Sequence, residues 1–136
     1  MLFRSAMTDL GRKYDNYLGK VEDKIATLSG YKYSLVVENS NEYLSEKLVD
    51  VLLAGTFPLY VGPDLESFGL PSDVAITAKP TVEAISMAIT QIEGDKLLRE
   101  RILFNGVMYL KSTHYKKTIN NVVLQDLAAR ISSALL

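Results

Sequence analysis

A chain of 136 residues, 48% hydrophobic and 23% charged, has the size and apolar content of one globular domain that buries roughly two-thirds of its unfolded surface. Its 15 basic and 16 acidic side chains form no run of like charge, which argues against the broad basic face that tracks a nucleic-acid backbone. Cysteine is absent and histidine occurs once, so disulfides, thiolate metal sites and histidine-built metal sites are set aside.

In chain order, the opening MLFRSAMTDLGRKYD has too short an apolar stretch for a signal peptide. No later window reaches the roughly eighteen uninterrupted apolar residues of a membrane span. A cytoplasmic location without a transmembrane segment is therefore expected. The chain enters a structured pattern almost at once, as a natural start or an excised piece of a longer protein would.

Residues 33–37, YSLVV, are a β-rich run bounded by Gly30 and the polar row Glu38, Asn39, Ser40, Asn41, Glu42. Over 42–54, Leu44, Leu48, Val51 and Leu52 recur at i, i+4, i+7 and i+8, the spacing of an amphipathic helix with Ser40 or Asn41 as its cap and Gly55 as its stop. Residues 57–61, FPLYV, are a second strand and 73–77, DVAIT, a third. Between them Asp64 and Glu66 read as loop carboxylates in solvent rather than an acid/base pair. Thr81 opens a helix after Pro80, with Val82, Ile85, Ile89 and Ile92 on one face and an end near Gly94. Two more helices are expected at 96–111 and 116–136, the last presenting Val122, Leu124, Leu127, Ile131 and Leu135 as an apolar stripe for the core. His114 falls between them as a surface residue. Lys111, Lys116 and Lys117 beside Tyr115 would suit peripheral contact with anionic lipid, though three lysines more simply make a solvated face.

Strand–helix–strand alternation with short, two-sided apolar strands predicts an α/β fold, a Rossmann-like parallel sheet flanked by helices, as one domain over residues 1–136. Ligands of such sheets bind beyond the carboxyl ends of the strands. The polar row at 38–42 occupies that position, where Asn39, Ser40 and the free amides of the next helix would suit a phosphate. The same residues also read as plain helix capping. Lys47 is less easily read this way, since a cation in the first turns of a helix opposes the macrodipole unless its stem carries the ammonium away.

The segment YKYSLVVENSNEYLSEKLVDVLLAGTFPLYVGPD resembles the signature of the α-1,3-fucosyltransferases, glycosyltransferase family 10. Tyr31, Lys32, Tyr33, Glu38, Asn39, Ser40, Tyr43, Ser45, Glu46, Lys47, Leu48, Gly55, Pro58, Tyr60 and Gly62 carry the likeness in order. A looser likeness runs through LPSDVAITAKPTVEAISMAITQI. The resemblance implies a two-lobed (GT-B) glycosyltransferase whose C-terminal, donor-binding lobe is this chain. It also implies GDP-fucose as the nucleotide-sugar donor, held without a required metal or other cofactor. Carried over, Glu46 would accept hydrogen bonds from the ribose hydroxyls, Lys47 would contact the pyrophosphate, and Asn39 and Tyr43 would line the same pocket. An upstream basic residue, Arg4 or Arg12, would share the diphosphate. The loop between Ser40 and Tyr43 is tighter than the family's, so Tyr43 would point differently. The glycan acceptor and the carboxylate that deprotonates its hydroxyl would belong to an N-terminal lobe that 136 residues do not hold. The chain alone is therefore expected to bind GDP or GDP-fucose with little or no transfer. The competing expectation is a non-catalytic α/β module that uses the same strand end for a nucleotide or a protein partner, with self-association also open.

Overall fold

The structure, a computed structural model, describes residues 19–116 and Ser132. Arg4, Arg12, Lys117 and nearly all of the helix expected at 116–136 lie outside the described residues. Among the described residues a short helix that the sequence does not signal, α1 (Lys24–Ser29), comes first, with the Asp23 carboxylate accepting from the Ala26 amide at 2.9 Å. It leads into β1 (Tyr33–Val37), α2 (Lys47–Ala54) and β2 (Phe57–Val61). Two 3-10 turns, Leu65–Phe68 and Ser72–Val74, connect to β3 (Ile76–Thr77), and α3 (Val82–Gly94) and α4 (Lys96–Leu110) follow.

The three strands form one parallel sheet in the order β1-β2-β3. The α/β fold expected from the alternation of elements is thus the fold observed. β2 is buried along its whole length, as a central parallel strand covered on both faces must be. Alternation divides its side chains: Tyr60 joins Val36 of β1 with Leu48, Val51 and Leu52 of α2 on one face. Phe57 and Leu59 meet Ala88 and Ile92 of α3 on the other. Each fully buried side chain of this size contributes on the order of 1.5–3 kcal/mol. α4 serves both layers, since Ile102 packs in the second cluster and Tyr109 in the first.

Proline in a central strand usually argues against the strand. Here the Phe57 amide donates to the Lys32 carbonyl on the β1 side, so strand alternation turns the position of Pro58 toward β3. β3 pairs only with Leu59 and Tyr60, and no partner waits for the N–H that Pro58 lacks.

Three expectations need correction. The helix expected over 42–54 is confined to Lys47–Ala54, with Glu46 at its N-cap position, and neither Ser40 nor Asn41 caps it. Ser40 Oγ instead accepts from the Glu42 amide at 3.1 Å in a local turn, while the Glu38 carboxylate draws Ser45 out of helical reach. The third strand covers only Ile76–Thr77 because Ser72–Val74 is a 3-10 turn, held in part by Asn105 Nδ2 donating to the Asp73 carbonyl at 3.2 Å. The α3 stripe is buried through Ala88 and Ile92, whereas Val82 in the first turn is 77% exposed. Thr81 does cap α3, its Oγ1 accepting from the Ala84 amide at 3.1 Å.

Candidate functional site at the carboxyl end of the sheet

All three strands end on the same side, as parallel strands do, and the chain leaving each of them walls a shared hollow of about 500 Å3. Val37 and Glu38 line it after β1, Val61 and Gly62 after β2, and Thr77, Ala78, Lys79 and Pro80 after β3. Backbone bonds fix the wall. The Glu38 amide donates to the Val61 carbonyl at 2.9 Å, and the Ala78 amide to the Tyr60 carbonyl at 2.8 Å.

Glu38 organises one side of the hollow. Its side chain is only 3% exposed, a burial a carboxylate tolerates only when its oxygens are occupied. One oxygen accepts from the Ser45 amide at 3.1 Å and the Ser45 hydroxyl at 2.5 Å. The other lies 3.8 Å from Lys47 Nζ. Ser45 Oγ in turn accepts from the Lys47 amide at 3.4 Å. Glu38, the first residue of the polar row, is therefore a buried acid that ties the start of α2 to the end of β1.

This arrangement explains the lysine at the first helical position. Lys47 folds back along its stem, and Nζ donates to the Val37 carbonyl at 2.8 Å, so its charge leaves the helix axis for the rim of the hollow. The ammonium touches two lining residues, Val37 and Glu38, without lining the hollow itself. Glu46 diverges from it: its carboxylate lies 3.6 Å from Lys24 Nζ, beside the 2.6 Å pair of Lys24 with Asp50. Asn39 and Tyr43 are exposed on the intervening loop. None of Lys47, Glu46, Asn39 and Tyr43 lines the hollow, and of the four only Lys47 is shown in contact with residues that do.

Beneath the rim lies a signature residue to which the sequence assigned no role. Tyr60 is fully buried, and its hydroxyl has no hydrogen-bond partner among the described residues. Burial, then the charges of Glu38 and Asp64, hold its pKa above the ordinary phenol range. A Cβ at residue 62 would lie 2.6 Å from that hydroxyl and 3.0 Å from Glu38 Cβ, so only glycine fits there. The aromatic residue two places before a glycine at a strand end was the available signal for this packing. Glu38 left a fainter trace as an acid directly after an apolar run.

Other singled-out residues have structural employment. Asp64 Oδ1 accepts from the Glu66 amide at 3.4 Å and Glu66 Oε1 accepts from Ser72 Oγ at 2.9 Å, so both brace the 3-10 turns. His114 is half-buried, with Nδ1 3.3 Å from Tyr109 Oη and its ring against Gly69, rather than the bare surface residue expected. Among the described residues no helix is long and apolar enough to cross a membrane.

The parallel sheet is an α/β fold with a hollow at the carboxyl ends of its strands, the position where open α/β sheets hold ligands. Comparison with known proteins makes the class more specific. The chain is 46% identical over 66 residues to a fucosyltransferase-like protein of Arabidopsis thaliana, covering 46% of this chain and 13% of that protein. It is 31% identical over 118 residues to human 4-galactosyl-N-acetylglucosaminide 3-alpha-L-fucosyltransferase 9, and 29% over 116 residues to the protein of the same name from Cricetulus griseus. Each of these two alignments covers 81% of this chain and 30% of the relative. The chain is thus a homologue of fucosyltransferases, and it spans less than a third of the length of these relatives. No protein-family model and no solved structure matches it.

Proposed function

We propose that this chain is the donor-binding lobe of a two-lobed, GT-B fucosyltransferase of the α-1,3 family, and that it binds GDP-fucose and the product GDP. The observation that carries the reading is the Lys47 ammonium, 2.8 Å from the last carbonyl of β1 at the rim of the hollow, in a chain whose relatives are fucosyltransferases. A diphosphate entering from that rim would exchange the carbonyl for charge-assisted bonds to phosphate oxygens, which are about twice as strong as neutral ones. Negative charge developing on the leaving GDP is met by the same ammonium.

In this reading Glu46 accepts from the ribose hydroxyls, exchanging part of its pairing with Lys24 for the ligand, and Asn39 and Tyr43 close over the nucleotide from the exposed loop. No metal or other cofactor is required for binding. Fucose passes to a glycan hydroxyl with inversion at the anomeric carbon in the whole enzyme. The base that takes the hydroxyl's proton must lie within hydrogen-bond reach of it and belongs to the acceptor lobe, so the 136-residue chain transfers little or nothing by itself.

Titration calorimetry with GDP, UDP and ADP tests the reading. GDP binds in preference to the other two, and Lys47→Ala weakens GDP by about tenfold or more, the scale of a lost charged hydrogen bond. Tight UDP binding without GDP binding removes the fucosyl donor but keeps a glycosyltransferase. A protein partner whose binding is unchanged by Lys47→Ala, in a chain that binds no nucleotide, leaves the non-catalytic module instead.

A further inference from the structure

We propose that Lys79 is a second cationic contact for the donor's diphosphate, acting from the β3 side of the hollow opposite the β1 side where Lys47 is held. The inference rests on the donor-binding reading above and adds a residue to it.

Of the residues that line the hollow, Lys79 is the only cation. Glu38 is the only anion in the same lining, and its carboxylate is turned to Ser45 and Lys47. Lys79 carries no ion pair among the described residues. The other lining side chains, Val37, Val61, Ala78, Pro80 and Thr77, offer no charge to an anion. A diphosphate in the hollow would therefore meet Lys79 as the one cation of its lining, with no ion pair among the described residues to give up.

The mount of Lys79 is firm. Its neighbour Ala78 is bonded through its amide to the Tyr60 carbonyl at 2.8 Å, and the Lys79 carbonyl itself accepts from the Thr81 amide at 2.8 Å. Pro80 fixes the backbone between these bonds, and Thr81 caps α3 immediately afterwards. The Cα of Lys79 is thus held against the end of β2 while its long side chain remains exposed. An anchored backbone with an adaptable ammonium is the form in which lysine binds phosphate as a point charge.

The test is calorimetry of the wild-type chain, Lys79→Ala, Lys79→Glu and Lys47→Ala with GDP, GMP and guanosine, with circular dichroism and thermal melting of each variant. Lys79→Ala is expected to weaken GDP by about tenfold, GMP by less and guanosine not at all. Lys79→Glu should weaken GDP further, and the dependence of GDP affinity on salt should flatten in both variants. Unchanged GDP affinity in Lys79→Ala, with a loss in Lys47→Ala, overturns the assignment and leaves the donor reading standing. An equal loss for guanosine and GDP also overturns it, because the lysine would then act on the nucleoside. If the wild-type chain binds no GDP, the donor reading falls and takes this assignment with it.

Discussion

The two ends of the sheet are built on opposite plans. At the amino end, where β1 begins and α3 finishes, Lys32, Glu93 and Arg99 form one bonded cluster. Glu93 accepts from Lys32 Nζ at 2.6 and 2.8 Å and from the Tyr33 hydroxyl, and Arg99 Nη1 lies 4.0 Å away while donating to the Ile92 carbonyl at 3.2 Å. Tyr33 also packs edge-to-face on Phe57, with ring centroids 6.0 Å apart. At the carboxyl end, among the described residues, the Tyr60 hydroxyl is buried without a partner and Lys79, in the lining of the hollow, has no ion pair. Closed bonding at one end secures the strands, and unfinished bonding at the other leaves groups that a ligand can complete. The contrast sets residues that bond to one another at one end against residues that line a hollow at the other.

Three substitutions sharpen or break this contrast, beginning with the largest effect. Gly62→Ala drives a methyl into Tyr60 Oη and Glu38 Cβ and should destabilise the chain by about 1–3 kcal/mol, the usual range for overpacking. Chemical denaturation measures it, and a neutral result would mean that the carboxyl-end wall yields more readily than its contacts imply. Tyr60→Phe removes the unpaired hydroxyl and should be neutral or raise stability by up to about 1 kcal/mol, since a buried polar group without a partner costs more than its absence. A clear loss on the same denaturation curve would show that the hydroxyl has a partner after all.

The smallest effect belongs to the amino end. Glu93 has its pKa held below the ordinary carboxylate range, first by the Lys32 hydrogen bond and then by that from Tyr33. A depressed folded-state pKa contributes stability above the unfolded value, lost as pH falls through the folded one. Lys32 is shifted upward, first by its Glu93 hydrogen bond, so its contribution is complete below the unfolded value and lost as pH rises through the folded one. Thermal melting of Glu93→Gln should therefore show a shallower fall in Tm on the acid side than the wild-type chain. Because the pair is exposed, the change is small and fades with salt. An acid limb identical to wild type would reduce the clamp to a decoration of the surface.

How much of this was legible beforehand depended on whether local pattern or distant contact set each element. β1 and β2 were placed residue for residue, because β-branched and aromatic runs between glycines carry their own boundaries. α3 and α4 followed from Thr81 and from the long apolar period. The start of α2 was misplaced because Glu38, seven residues before Ser45, binds it, and no window of helical spacing records such a bond. β3 came out short for the same reason, since the 3-10 turn before it leans on Asn105 far along the chain. At the site, the resemblance pointed to Lys47, and the structure brings its ammonium to the rim. Glu46 turns to Lys24 of a helix that had not been anticipated, so its direction could not be read. Glu38, Tyr60 and Gly62 were quoted as signature residues without a physical role, which emerges only when strand ends from separate parts of the chain meet.

α4 belongs to both faces of the sheet, with Ile102 on one and Tyr109 on the other. Its continuous hydrogen-bonded backbone means that neither hydrophobic layer can come apart without disturbing the other, which is the condition for all-or-none unfolding. The floor of the hollow is thereby joined through one helix to the layer on the far side of the sheet.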